Sequence, residues 1–468
     1  PQPLSPKRQM ALQATLLGGV AAATYIKYVR QLPISDVSSL PADGKIAALA
    51  AVGSGLVLGA NFVEYLVYGP NGSGPISRVV DFMHTALGQE NRRKIVVNDW
   101  IEEYNRLHKS EDASERNSMY SQLVNHYYEL ATLFYEVGWC PSFHFAYRML
   151  GESFSESIRR HEYYLAGFLG LKPGSKVLDV GCGIGGPYRN IARFTKWDIT
   201  GVTLNEYQVS RANTLCKQQG LDKTCRSIQG DFMKLSSFFP KATPSSAPQA
   251  TAGPALPPFL QPLRPARVCA CPPPVLVFPK AHPTPLQESF DGAYAIEATC
   301  HAPERRGVYG EIFKLMKPGA IFACYEWCLT DGYDGSPLHK KYKKQIEEGD
   351  GLPDLCHTSE VSAALRDCGF EIIHSRDMAE DPNQETPWYI TMTPALNPFS
   401  QRIQFTRVGM FLTAWGLKLL EFLYVVPSGT SKVQMMLQQA ALGLAGGGST
   451  KSFTPMYLAV CRKPGPKK

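Results

Sequence analysis

Apolar and polar positions along the chain fall into three regimes. From Met10 to Ile26 and from Ile46 to Tyr68 apolar residues run almost unbroken; the first stretch has no charge and the second only Glu64. About 20 apolar residues span a bilayer, so residues 1–80 are predicted to hold at least one membrane-associated helix. From Arg78 to about Leu171 the spacing is that of amphipathic helices, closing in the aromatic-dense YEVGWCPSFHFAYRMLGESFSESIRRHEYYLAGFLG. After that, short apolar runs alternate with helical ones. Strands are predicted at 176–180, 199–204, 226–229, 292–296, 321–325 and 370–374. Helices are predicted to open at 187 and to cover 206–219, 305–316 and 359–368, with KPG at 317–319 stopping the third.

That alternation predicts an α/β chain with a Rossmann-like parallel sheet and helices on both faces. Beyond it, residues 399–445 read as apolar, aromatic helix, and FTPMYLAVC (453–461) as one more strand returning to the sheet, the seventh. The expected organisation is a membrane-associated segment (1–80), a helical region (81–170), the α/β domain (171–395) and a C-terminal region (396–468). Residues 240–288 interrupt the α/β domain, and fourteen of the chain's 36 prolines fall between Pro240 and Pro285. Such a composition builds neither helix nor strand and reads as a long surface insertion.

Composition narrows the partners. The net charge is +7, but the basic residues are spread along the chain. The densest cluster, HKKYKKQ (339–345), is broken by Tyr342 and followed by Glu347, Glu348 and Asp350, which predicts a solvated helix face and no nucleic-acid partner. The twelve cysteines show neither CxxC pairs nor zinc spacing, so no metal site is expected and the thiols are read as reduced and cytosol-facing.

The chemistry concentrates at KVLDVGCGIGGPYRNIARF (176–194), where a strand runs into four glycines, Gly181, Gly183, Gly185 and Gly186, and then a helix. A strand, a glycine turn and a helix N-terminus make a nucleotide-cofactor site, because the glycines allow close approach and the helix offers free N–H groups. Gly181, Gly183 and Gly186 satisfy GxGxxG, so a dinucleotide is one reading. Two details favour another. Asp179, two residues before the first glycine, would repel a pyrophosphate, and the second strand ends at Asn205, where a dinucleotide site presents Asp or Glu to the ribose. An acidic turn suits a cationic sulfonium cofactor, S-adenosylmethionine.

LDVGCGIGGP, followed by NEYQVSRA, YAIEATCHAP and YEWC, resembles the sterol C-24 methyltransferases. So do the upstream YEVGW and SFHF and the later GLPDL and FTPMYLAVCRKP. The resemblance covers about residues 90–468 apart from the insertion. It implies a class I methyltransferase fold and methyl transfer from S-adenosylmethionine to C-24 of a Δ24-sterol such as cycloartenol or zymosterol. It also implies that Asp179, Gly181 and Gly183 hold the methionine end of the cofactor, Asn205 and Gln208 the ribose, and Asp231 and Phe232 the adenine, with Gly185 also cofactor-binding. The chain departs from the family pattern at Val137, where an aromatic is usual, and at Cys140-Pro141, which follow the tryptophan in place of glycine.

In this reaction an alkene attacks the sulfonium methyl and leaves a carbocation, so aromatic faces and a carboxylate are wanted around it. Tyr135, Trp139 and Phe143 are the expected aromatics, with Tyr294, Tyr325 and Trp327 in support. Glu136, Glu297 and Glu326, together with His144 and His301, are candidates to offset charge or accept the departing proton. The aromatic helices of 399–445 would cover a sterol or, alternatively, form a homo-oligomer interface. The implied location is the endoplasmic reticulum or microsomal membrane, with the catalytic domain facing the cytosol. Rival readings are methylation of another isoprenoid or lipid, a non-catalytic membrane sterol-binding scaffold, and a nicotinamide oxidoreductase.

Overall fold

The computed structural model describes Tyr104, Arg106 and residues 117–239, 289–394, 406–422 and 429–465. The two long apolar stretches of the N-terminus and the proline-rich segment 240–288 lie outside the described residues. Among the described residues no helix is long and apolar enough to cross a membrane. The chain divides into two compact units. Leu133–Cys140 and Leu419–Ser428 belong to one with Pro1–Val96; Val97–Thr132, Pro141–Lys418 and Gly429–Lys468 form the other, larger one.

Two helices, α1 (Tyr120–Gly138) and α2 (Phe154–Leu169), precede the sheet. Helix α2 opens on a capping box, in which Ser153 accepts from the Glu156 N–H and Glu156 accepts from the Ser153 N–H, and it closes on left-handed Gly170. The following elements are β1 (Lys176–Val180), α3 (Gly186–Thr195), β2 (Asp198–Thr203), α4 (Glu206–Gln218), β3 (Cys225–Gln229) and the short α5 (Leu235–Phe238). Then come β4 (Phe290–Ile296), α6 (Arg305–Leu315), β5 (Met316–Leu329), α7 (Pro337–Asp350), α8 (Thr358–Asp367), β6 (Glu371–Asp377), α9 (Arg407–Phe422), α10 (Thr430–Ser449) and β7 (Phe453–Arg462).

The seven strands lie in the order β3-β2-β1-β4-β5-β7-β6. Strands β1 to β5 pair in parallel, whereas β7 runs antiparallel to both β5 and β6. The sheet is therefore mixed, not wholly parallel as the alternation predicts. Alternation fixes which face a side chain takes but not the direction of a last strand that arrives from α10 rather than through a crossover. Strand β5 also starts earlier than expected, because Met316 pairs with Phe290 directly after the helix, and the KPG turn follows inside the strand with Gly319 left-handed.

Both faces are covered, as the pattern predicts. On one, Leu178, Val180, Val202, Ala293 and Phe322 pack with Tyr309, Ile312, Val361 and Leu365 of α6 and α8 in one apolar core. On the other, Tyr325 of β5 stacks flat on His161 of α2 at 3.7 Å. At the sheet's amino end, Phe239 after α5 meets Phe290 of β4 edge-to-face at 5.2 Å, so the two ends of the proline-rich insertion are held together.

This order has one functional consequence. From β1 the chain winds toward β2 on one side and toward β4 on the other, so the carboxyl ends of β1 and β4 open a crevice.

Helices α7 and α10 touch backbone to backbone through Gly349, where an added Cβ would sit 2.4 Å from the Ala440 Cβ and 2.6 Å from its Cα. Neither helix can yield locally, so Gly349→Ala should destabilise the protein by about 1–3 kcal/mol through overpacking, read as a lower thermal midpoint.

Candidate active site

The crevice is filled from the glycine turn outward. Asp179, the penultimate residue of β1, is 2 % exposed, and its Oδ2 has no hydrogen-bond partner. Burial lifts its pKa to about 7, Glu162 adds to the rise, and the nearby Tyr294 hydroxyl and His144 oppose it. The Gly181 and Cys182 N–H groups both donate to the Val202 carbonyl, at 2.9 and 3.1 Å, tying the turn to β2. Gly181 is left-handed (φ 79°), and a Cβ there would lie 2.3 Å from the Ala298 Cβ, so the turn requires glycine twice over. Gly183 and Gly185 are also left-handed, at φ 53° and 73°.

Around this turn lies a partly open cleft, lined by both apolar and polar groups. Phe143, His144, Glu297, His301, Gly181, Gly183, Asn205, Gln208 and Phe232 all line it, as the sequence predicts. Glu297 follows β4 in a left-handed conformation (φ 53°), an unusual posture for a side chain of this size. Its two oxygens accept from the Phe145 N–H at 2.9 Å and the Trp327 indole N–H at 2.8 Å. Burial raises it to about 8, against the opposing charge of His144 and those two donors. Glu297 lines the cleft, whereas Asp179 is buried behind the glycine turn and is not among the residues that line it.

Comparison with known proteins settles the family. Residues 400–465 match the sterol methyltransferase C-terminal family, and residues 155–375 match a methyltransferase domain. The chain is 43% identical over 368 residues to the cycloartenol-C-24-methyltransferase of Arabidopsis thaliana, covering 78% of this chain and 94% of that protein. It is 39% identical over 361 residues to the sterol 24-C-methyltransferase of Saccharomyces cerevisiae, covering 75% and 82%. The chain belongs to the sterol 24-C-methyltransferase family. Among solved structures it is also similar to a mycolic acid cyclopropane synthase, at TM-score 0.49 and 14% identity over 73% of this chain and 98% of that one.

Within this family frame, the structure sorts the expected residues. Asn205 caps α4 by accepting from the Gln208 N–H at 3.0 Å, and its amide donates to Asn125 at 3.0 Å and Glu129 at 2.9 Å. Gln208 accepts from Thr203 at 2.7 Å and donates to Thr132 at 3.2 Å. Both expected ribose residues are thus tied to α1. Asp231 accepts from the Tyr120 hydroxyl, and the Tyr120 ring lies nearly parallel to Phe232 at 6.4 Å. Tyr135, Glu136 and Trp139 sit on and just beyond the last turns of α1, in the smaller unit, where the Trp139 N–H donates to the Tyr135 carbonyl at 2.9 Å.

Three supporting expectations need correcting. Glu326 is a core residue with no exposed surface; it accepts from Thr299 and from Tyr309 (2.8 Å) and pairs with Arg305 at 3.8 Å. Tyr325 stacks on His161 and donates to its carbonyl at 3.1 Å. Tyr294 is fully buried beside Asp179. All three alternate to interior positions of strands β4 and β5, which single-residue chemistry does not reveal. Trp327 acts instead by holding Glu297.

His144 lines the cleft but is committed elsewhere. Its Nδ1 faces the Phe145 carbonyl at 3.0 Å and its Nε2 faces Glu162 at 3.3 Å. Two acceptors facing the two ring nitrogens favour the imidazolium form of His144. Burial pulls its pKa down, but the Glu162 hydrogen bond and charge outweigh that and leave it raised. Glu162, absent from the sequence expectations, also accepts from Ser142 (2.7 Å) and Asn190 (2.9 Å). Tyr128 was missed as well, although Asn125, Tyr128, Glu129 and Thr132 fall at i, i+3, i+4 and i+7, one helix face of mixed polar character.

The raised pKa of Asp179 carries a stability cost. Its folded value of about 7 exceeds its unfolded one, so its contribution is fully favourable below about pH 4 and is lost as pH rises through 7. Asp179→Asn should therefore stabilise the protein at pH 8, on the order of 2–4 kcal/mol, with the gain shrinking toward pH 4 in chemical denaturation.

Proposed function

We propose that this chain methylates C-24 of a Δ24-sterol of the cycloartenol or zymosterol type, with S-adenosylmethionine as the methyl donor. The observation that carries the reading is one cleft that joins an acid-ended glycine turn to an aromatic wall bearing Glu297, in a chain of this family. The residues present suit the cofactor. Asp179 has an unpartnered buried oxygen, and Gly181 leaves a cradle that a Cβ would fill. Asp179, Gly181 and Gly183 would hold its methionine end, Asn205 and Gln208 its ribose, and Asp231 and Phe232 its adenine, with Gly185 also beside the cofactor. When bound, S-adenosylmethionine supplies an electrophilic methyl group.

The protein's own groups do the rest. Phe143 offers a ring face that can stabilise a cation without capturing it, and Glu297 supplies negative charge from a fixed position, since both its oxygens are anchored. Apolar Val124, Ile184 and Ile296 help exclude water from the cleft. Tyr135, Glu136 and Trp139 are assigned to the sterol by the family resemblance alone. Because the acceptor dissolves in lipid, the same reading puts the enzyme at the endoplasmic reticulum membrane, with the cleft open to cytosolic cofactor.

The decisive assay supplies methyl-labelled S-adenosylmethionine with cycloartenol, zymosterol or a C-24-saturated sterol, and identifies products by mass spectrometry. Label in a 24-methyl or 24-methylene product from the Δ24-sterols alone is expected; label on none of them rejects the sterol reading. A second prediction follows from the two raised acids. A bound sulfonium cation favours their ionised forms, so cofactor binding should tighten from pH 6 to pH 8.5 and release protons near pH 7. Calorimetry in buffers of different ionisation enthalpy measures that release, which should be smaller for S-adenosylhomocysteine, whose sulfur is neutral.

A further inference from the structure

Methylation leaves a cation that must lose a proton to become an alkene, and few groups lining the cleft can take one. His144 cannot, because both ring nitrogens already face acceptors. Glu297 accepts one N–H at each oxygen, which holds the carboxylate in place but leaves each oxygen a further lone pair, so it is the competing acceptor that the test below must separate. The remaining basic nitrogen is on His301. It sits in the turn after β4, 6 % exposed, and lines the cleft together with Tyr128 of α1.

The geometry of this pair fixes its protons. His301 Nδ1 lies 3.2 Å from the Gly351 carbonyl, which can only accept, so Nδ1 carries the hydrogen. Its Nε2 is then the lone-pair nitrogen, 2.8 Å from the Tyr128 hydroxyl, which donates to it. The rings meet edge-on at 5.3 Å. The hydroxyl therefore keeps its own oxygen lone pairs available while its hydrogen is already directed at a base. Burial lowers His301 to about 4, so in the resting protein the ring is neutral and able to accept.

We propose that Tyr128 is a catalytic residue that removes the proton from the methylated sterol cation, with His301 as the positioning residue that takes the tyrosine's own proton. This deepens the sterol reading and rests on it. In the step, a C–H bond next to the cationic carbon breaks and its electron pair becomes the new C=C bond. The proton goes to the Tyr128 oxygen as the Tyr128 O–H proton passes to His301 Nε2. The cation is discharged to alkene and the imidazole becomes imidazolium, with no oxidant or reductant involved. The imidazolium then returns its proton through Tyr128 to water. A weak base suffices, because the cation is a far stronger acid than imidazolium.

The test compares wild type with Tyr128→Phe and His301→Asn; the latter can still donate to the Gly351 carbonyl but cannot reach Tyr128. Turnover should fall by about 100-fold in both, the scale of a lost general base, with S-adenosylhomocysteine binding unchanged. Alkene product should give way to the 25-hydroxylated, water-captured sterol, and deuterium on the departing carbon should slow the variants more than the wild type. Glu297→Gln should lower turnover without raising the share of alcohol. An alkene-to-alcohol ratio unchanged in Tyr128→Phe would overturn the proposal. Nitrogen-15 NMR of the ligand-free protein is independent of the sterol reading: it should show His301 protonated at Nδ1 only, and an Nε2-protonated ring would overturn the assignment. A wild type that methylates no sterol would reject the substrate reading instead, and with it the step proposed here.

Discussion

The site depends on the burial of carboxyl groups at the strand ends where the sheet's winding reverses. Asp179 and Glu297 lie at the carboxyl ends of neighbouring strands, each nearly sealed from water and each raised by that burial. Neither has a lysine or arginine among its hydrogen-bond partners, and Asp179 leaves an oxygen unsatisfied. Folding accepts that cost because the sheet is secured elsewhere, by the core of α6 and α8 and by β7 wedged between β5 and β6. A chain selected only for stability would place neutral groups there.

The same principle of divided labour separates the histidines. His144 and His301 line one cleft, yet backbone carbonyls and one carboxylate give them opposite protonation. Glu162 favours the protonated form of His144. The Gly351 carbonyl makes His301 a neutral ring with its lone pair toward Tyr128. Partners thus determine which histidine can exchange a proton, and residue type alone does not.

Much of this was legible in the sequence. The strands were, because each apolar run is bounded by turn residues. The glycine turn was too, because four glycines after an acid have no use in a plain core. From the expected set, Phe143, His144, Glu297, His301, Gly181, Gly183, Asn205, Gln208 and Phe232 converge on one cleft. What stayed hidden depends on long-range packing. Glu326 stands in an aromatic-rich motif and looks poised for chemistry, but its strand position turns it into the core against Arg305. Glu162 sits among charged neighbours in RRHEYY and drew no expectation, yet α2 buries it against Ser142 and His144. The direction of β7 has no signature in alternation at all.

The contact between Phe239 and Phe290 bears on how the chain tolerates length. It clamps the two ends of the proline-rich segment at the amino end of β4, the pole of the sheet opposite the cleft. Once the ends of a loop are pinned, closure entropy grows only logarithmically, at about 0.6 kcal/mol per doubling. Dozens of added residues therefore change the folding free energy little and leave the chemistry untouched. That pole is therefore a place where a reporter could be grafted away from the catalytic face.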